Sequence, residues 1–258
     1  MTADRRGLAL VTGAGTRIGR ALALDLAAHG WAVAVHHRRS GDAAAEVVDR
    51  IVAGGGHAVA LAADLAVEAE AAGLVDAAAA AAAGAVTCLV NNAAAFEYDS
   101  VATATRRSWD LHLDTNLRAP FVLSQAFARA LPEGLSGTIV NMIDQRVWNL
   151  SPHFVSYTLS KAGLWTLTRT LALALAPRIR VNAIGPGPVL ASARQSAESF
   201  AAQVARTPLR RQVGLNEICA ALRFVVDAPS LTGQMIALDG GQHLGWQHPG
   251  EPGAPEPE

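Results

Sequence analysis

Lysine is almost missing from this sequence. Of its 21 basic residues only Lys161 is a lysine, and the other twenty are arginine. Tyrosine is nearly as rare: there are two, Tyr98 and Tyr157, and the second lies four residues before that lysine. Cysteine is scarce too. Cys88 and Cys219 stand far apart without ligand spacing, which excludes a disulfide framework and a cysteine metal cluster. Cys88, inside the apolar run "VTCLV", reads as a buried thiol, and a reducing cytoplasm fits. The formal net charge is −1, so no global basic field argues for a nucleic acid or an acidic membrane as partner. The eight histidines show no paired ligand spacing with acids, and no metal is expected. Long apolar runs are absent as well. "MTADRRGLALVTG" lacks the apolar core of a signal peptide, and "AAAAAAAGAV" is an alanine-rich helix end behind Asp76, not a membrane span.

What is present is a regular alternation. Strand-length apolar runs at 8–12, 32–35, 58–63, 86–90, 137–142, 179–184 and 234–239 are separated by helix-length periodic segments. One of these is a long helix around 104–131, and another runs through Tyr157 and Lys161 to about Ala176. Seven strands alternating with helices imply an α/β fold, a single doubly wound parallel sheet with helices on both faces. One domain over 1–246 is expected, followed by a disordered tail at 247–258, "HPGEPGAPEPE" from His248 on, which has no apolar anchor.

The first strand runs into "VTGAGTRIGRAL", with Gly13, Gly15 and Gly19 before the first helix. Glycine there allows a tight turn and close backbone approach of a pyrophosphate to a helix N-terminus. Such a turn alone also suits a bare β–α connection. Here "AADL" and "VNNAA" follow the third and fourth strands, and Tyr157-x-x-x-Lys161, "IGPGPV" and "LDGG" come later. With these pieces, residues 7 to 246 resemble the short-chain dehydrogenase/reductases, and a Rossmann fold with a nicotinamide cofactor is what the resemblance implies. The family's first motif is usually Thr-Gly-x-x-x-Gly-x-Gly. Here Arg17 replaces the middle glycine, as in the pteridine reductase and dihydromonapterin reductase branch.

An NAD-selective site usually places an acid at the end of the second strand. This sequence has "VHHRRSGD" there, with no acid before Asp42. Arg17, Arg38, Arg39 and Ser40 can converge on a 2′-phosphate, for which arginine's planar fork is suited. NADPH is the expected cofactor. By resemblance its other contacts are Ile18, His37, Asp64, Leu65, Asn92, Ala93, Pro186 and Gly187, with Asp64 near the adenine and Asn92 near a ribose.

Tyr157 and Lys161 share one face of a helix. A phenol titrates near about 10, and a neighbouring ammonium lowers that value and eases proton exchange. A compact ammonium also donates to ribose hydroxyls where a guanidinium fits less well, which explains the one departure from arginine. By resemblance Tyr157 is the proton donor, Lys161 holds the nicotinamide ribose, and Asn116 completes a proton relay. The family's usual serine thirteen residues before the tyrosine is Asp144 here. An ionised carboxylate cannot donate to a carbonyl oxygen. It suits a substrate rich in N–H donors or one protonated on nitrogen, and the pteridine reductases carry aspartate there.

A pterin is flat and lined with donors and acceptors. The resemblance places Phe96 against its face, Arg17 at its edge, and Asp144, Tyr157 and Pro188 around it. Ala94 stands where a serine is common, and Arg146, Trp148 and His153 have no assigned role. The segment 186–211, rich in small and polar residues after the sixth strand, is expected to be a mobile lid. The expected activity is reduction of a dihydropterin by NADPH, in a homotetramer. Two alternatives stay open: a reductase of a ketone or acyl-thioester, and a protein that binds NADPH or pterin without turnover. By family habit Trp246 would border a neighbouring subunit's site.

Overall fold

The computed structural model describes residues 6–192 and 194–245. Trp246 and the tail 247–258 lie outside the described residues. Seven strands form one sheet: β1 (Leu8–Val11), β2 (Ala32–His37), β3 (Ala58–Ala62), β4 (Val86–Asn91), β5 (Gly137–Met142), β6 (Ile179–Pro186) and β7 (Met235–Leu238). Their order is β3-β2-β1-β4-β5-β6-β7, and every pairing is parallel. The expected doubly wound sheet is therefore present, and each strand lies within a residue or two of its sequence position.

The side chains of β1 and β2 divide cleanly by parity, as a period-two pleat requires. Ala9, Val11, Val33 and Val35 join one buried cluster, with Leu22 and Leu26 of α1 (Arg17–Ala28), Val47 and Ile51 of α2 (Gly41–Ala53), and Leu222 of α8 (Leu215–Asp227). Leu8, Leu10, Ala32 and Ala34 join the opposite cluster, with Leu74 of α3 (Glu68–Ala81), Leu123 and Phe127 of α5 (Ala119–Ala130), and Leu171 of α6 (Val155–Ala174). A sheet covered on both faces needs near-continuous apolar strands. β1, "LALV", is buried at all four positions.

The helix expected over 104–131 is not continuous. α4 (Arg106–Leu113) passes through a turn of π-helix, Asp114–Arg118, into α5. Thr105 and Ser108 close the start of α4 with reciprocal hydrogen bonds, each side chain accepting from the other's backbone N–H. The wide turn holds Asn116, which is fully buried. Single π-turns inside helices are frequent at functional sites. Apolar periodicity continues through such an insertion, so the pattern did not reveal it. The segment expected to be a lid contains a short helix, α7 (Ala197–Ala205).

β1 and β4 are neighbours, yet the chain leaves them toward opposite edges of the sheet. That is the switch point where ligands enter doubly wound folds, beyond the carboxyl ends of the strands. The ends of β1, β4, β5 and β6 deliver Gly13, Asn92, Asp144 and Gly187 to one side.

Candidate active site

The glycine turn is built for close approach. Gly13 has φ +62°, and a Cβ there would sit 3.0 Å from the Ala93 Cα. A Cβ on Gly19 would run into the Gly13 carbonyl oxygen and the Asn92 amide. Asn92 secures the turn from β4: its Nδ2 donates to the Thr12 carbonyl at 2.8 Å, and the Asn92 and Ala93 amides donate to Thr12 Oγ1 at 2.9 and 3.0 Å. Thr16, the residue before α1, offers no side-chain cap, so the first amides of that helix face the turn without one. An anionic pyrophosphate suits those amides.

His36 buttresses the same turn from below. It is 2% exposed; its Nδ1 accepts from the Gly13 amide at 3.0 Å, and its Nε2 faces the Ala63 carbonyl at 3.1 Å. Those partners require the neutral Nε2–H tautomer. Burial pushes its pKa below the ordinary histidine value, outweighing the Ala63 hydrogen bond. His37, Arg38, Arg39 and Ser40 follow at the end of β2, with both arginines exposed. Arg38 lies 3.9 Å from Asp64, which together with Leu65 follows β3. No carboxylate stands at the end of β2 itself. These residues fit a nicotinamide dinucleotide carrying a 2′-phosphate.

Arg17 departs from expectation. It adopts φ +52°, the left-handed region that glycine occupies freely. Its guanidinium does not join Arg38 and Arg39. It reaches across to the segment after β6, donating to the carbonyls of Leu190 at 3.1 Å and Ala191 at 3.0 Å. In this conformation Arg17 lines the cavity beside Pro188 and Leu190.

That cavity, ≈ 240 Å³, brings together Arg17, Ile18, Asn92, Phe96, Asp144, Tyr157, Lys161, Pro186, Gly187 and Pro188. Tyr157 Oη donates to Asp144 Oδ2 at 2.9 Å, and the other Asp144 oxygen accepts from the Arg146 amide at 2.9 Å. Lys161, 2% exposed, donates to the Met142 carbonyl at 2.8 Å, and its Nζ is 5.8 Å from the centre of the Tyr157 ring. The expectation that Lys161 lowers the tyrosine's pKa is corrected here. The Tyr157 pKa is raised well above its ordinary value, first by burial and then by the Asp144 charge and hydrogen bond; Arg146 opposes. Burial brings Lys161 down to about 8, with Asp144 opposing. A carboxylate in contact dominates an ammonium that points elsewhere.

Asn116 is brought close, but as a clamp. Its amide accepts from the Ala95 N–H at 2.7 Å and donates to the Ala95 carbonyl at 2.9 Å and Ser160 Oγ at 3.0 Å. Its side chain is thereby committed to holding the loop after β4.

Phe96 lines the cavity, yet its ring is already stacked on Phe154, with centroids 4.6 Å apart and planes inclined by 10°. The aromatic wall is thus a pair, flanked by the Arg146 guanidinium 4.9 Å from Phe154 and the Arg194 guanidinium 5.7 Å from Phe96. Phe154 was missed by sequence reasoning. It has φ +56° at the start of α6, a strained setting for a bulky residue, and nothing in "SPHFVSY" signals it. Of the residues without a role, Arg146 also donates to Ser151 Oγ at 3.0 Å, and His153 pairs with the Tyr98 hydroxyl at 3.1 Å. Trp148 packs edge-on against Trp165 and His243, away from the cavity lining. Ala94 lines the cavity. Among the described residues no group of three or more His, Cys, Asp or Glu side chains can hold a metal. No described helix is long and apolar enough to cross a membrane.

A family model described as enoyl-(acyl carrier protein) reductase matches residues 13–243. Among solved structures, FolM alternative dihydrofolate reductase 1 from Brucella canis, complexed with NADP, is 49% identical with a TM-score of 0.91, covering 96% of this chain and 98% of that one. An uncharacterised oxidoreductase of Methylorubrum extorquens is 36% identical over 91% of this chain and 96% of its own length. A 3-oxoacyl-[acyl-carrier-protein] reductase of Synechocystis sp. is 33% identical over 93% of this chain and 98% of its own. These matches run the length of the fold, and the chain belongs to the short-chain dehydrogenase/reductase family.

Proposed function

We propose that this chain is an NADPH-dependent reductase of a C=N bond in a dihydropterin, giving the tetrahydro form. Dihydromonapterin, dihydrobiopterin and dihydrofolate are the candidate substrates. The observation that carries the reading is the hydrogen bond from Tyr157 to the Asp144 carboxylate, 2.9 Å. An ordinary carbonyl reductase needs a neutral hydroxyl at that position to polarise a C=O. An ionised carboxylate only accepts, which suits a ring bearing N–H groups and a nitrogen to be protonated. The Brucella canis neighbour, named an alternative dihydrofolate reductase, supports the same class.

NADPH, when bound, supplies the hydride, which for a 7,8-dihydropterin goes to C6. Tyr157 holds the proton for N5, with its hydroxyl placed by the hydrogen bond to Asp144. Asp144 orients that hydroxyl and accepts from the ring's N–H edge. Lys161 sets the nicotinamide ribose from the floor formed by Met142. Phe96 and Phe154 offer an aromatic wall, and Arg17 contacts the open edge of the ring. Arg38, Arg39 and Ser40 hold the 2′-phosphate, with His37, Asp64, Leu65, Ala93 and the glycine turn completing the cofactor site. NADPH should therefore bind at least tenfold more tightly than NADH in a fluorescence titration. Equal affinities would remove these residues from selectivity.

The deciding experiment follows NADPH oxidation with dihydromonapterin, dihydrobiopterin, dihydrofolate, quinonoid dihydropterin and an acetoacetyl thioester offered separately. Turnover confined to dihydropterins supports the reading; turnover of the thioester alone overturns it. Tyr157→Phe should lower kcat by about 10²–10⁴-fold, the usual range for a positioned acid. Asp144→Ser should abolish most pterin turnover while leaving NADPH affinity unchanged.

Reduction of an acyl-thioester is the second reading, favoured by the Synechocystis relative; Asp144 stands against it. A homotetramer built through α4, α5 and α6 belongs to the proposal as well. Trp109, Leu159 and Leu173 are exposed on α4 and α6 and give those helices apolar surface. Sedimentation analysis reads the assembly directly.

A further inference from the structure

Three polar residues outside the cavity are fully enclosed: Asp99, His112 and Ser156 are 1%, 0% and 0% exposed. They come from the loop after β4, from α4 and from the first turn of α6, and none lines the cavity. A buried polar chain of this kind persists only when its members are satisfied. His112 Nδ1 faces Ser156 Oγ at 2.7 Å. The Ser156 hydroxyl donates to the Asp99 carboxylate, whose other oxygen accepts from the Ser156 amide at 3.2 Å. The Asp99 carbonyl accepts from the Phe154 amide at 2.7 Å. At the far end, His112 Nε2 accepts from the Glu97 amide at 2.9 Å.

The direction of these bonds fixes the imidazole. An amide N–H only donates, so Nε2 carries a lone pair. The serine proton goes to Asp99, so Nδ1 carries the histidine's proton. The amides held by this chain belong to Glu97, Phe154 and Ser156. Phe96 and Tyr157 are next in sequence, and Phe154 is itself in the aromatic wall. Asp99 also supplies the carboxylate that α6 lacks at its N-terminus, where Phe154 offers no side-chain cap. The His112 ring stands edge-on to Tyr157, centroids 5.9 Å apart.

We propose that His112 is a positioning residue for the reduction, holding Phe96 and Tyr157 in register through Ser156 and Asp99, and that it does so only as the neutral imidazole. The inference rests on the reading that Tyr157 is the proton donor. A proton on Nε2 would set two donors, the imidazolium N–H and the Glu97 amide, against each other. The loop bearing Phe96 then loses its tie to α4.

The charged groups acting on His112 are Asp99 and Glu97 on that loop and Arg194 on the segment after β6. Burial lowers its pKa, and the two carboxylates partly restore it. A histidine lowered in this way contributes above its ordinary value of about 6.5, and the contribution is lost as pH falls through the lowered folded value.

The test compares the wild-type enzyme with His112→Gln and His112→Phe. Glutamine can place an uncharged acceptor near the Nε2 position; phenylalanine fills the space without one. The wild type should lose kcat/KM on the acid side, mainly through a rise in KM. His112→Gln should retain at least a third of the neutral-pH value and lose that dependence. His112→Phe should fall at least tenfold at every pH. An acid limb unchanged in His112→Gln, or full activity in His112→Phe, overturns the proposal.

A second arm uses the wild-type chain alone and no substrate. Hydrogen–deuterium exchange over residues 95–100, corrected for intrinsic rates, should speed severalfold, up to about tenfold, as pH falls from 7.5 to 5.5. Constant protection there overturns the proposal even if the glutamine variant fails to fold. Because this arm needs no pterin, it still decides the matter if the substrate proves to be a thioester.

Discussion

Tyr157 is buried against a carboxylate, and both influences keep its proton on. A phenol held this firmly is a weaker acid than a free tyrosine, so its environment must change before it gives up a proton readily. Arg17 is the second residue whose cost and use can be separated. Its left-handed backbone costs about 1–3 kcal/mol. Its two hydrogen bonds to the Leu190 and Ala191 carbonyls return about 0.5–1.5 kcal/mol each, toward the low end because the side chain is exposed. Arg17→Gly should therefore leave stability within about 1 kcal/mol of wild type in urea unfolding. If Arg17 contacts the pterin, its KM rises about tenfold or more, the loss expected for one charged hydrogen bond. The rarity of lysine and tyrosine made Tyr157 and Lys161 legible in the sequence. The contacts that set their proton affinities were not, because Asp144 is thirteen residues from Tyr157 and the outcome depends on a 2.9 Å contact.

At the scale of elements, the strands were legible because burial on both faces leaves an uninterrupted apolar run. The π-turn at Asp114–Arg118 was not. One extra residue in a helix shifts the faces without erasing the apolar pattern. The turn aims Asn116 at the loop after β4, and the same loop is held again by His112 one helical turn earlier. Asn116→Ala would remove the partner of the half-buried Ala95 N–H and carbonyl, each costing at most roughly 1–3 kcal/mol when unsatisfied. A loss of about 2–4 kcal/mol on chemical denaturation is expected. A smaller loss would mean the loop finds other partners. The Asp99–Ser156–His112 chain was invisible in sequence for a simple reason: its members are joined across 44 and 57 positions.

At the scale of the whole molecule, a sheet buried on both faces puts the two thiols out of reach. Burial pushes Cys88 up to about 12 and Cys219 up to about 11, the latter helped by Asp25. Thiol reactivity follows the thiolate. Neither cysteine should react with a disulfide reagent at pH 8 until the chain unfolds, and both should then react together. Prompt labelling of either would show that its side of the sheet opens locally.

The strand order has one more consequence, in the timing of synthesis. The glycine turn and the first four strands are made early, but Gly187 at the cavity wall is fixed by its amide's bond to Leu238 on β7, 2.9 Å long, and Gln242 lines the cavity beyond it. A chain emerging from the ribosome N-terminus first has its glycine turn, and the Asn92 that secures it, about 150 residues before Gln242 closes the cavity wall. The pocket as a whole therefore closes only when the last strand is in place.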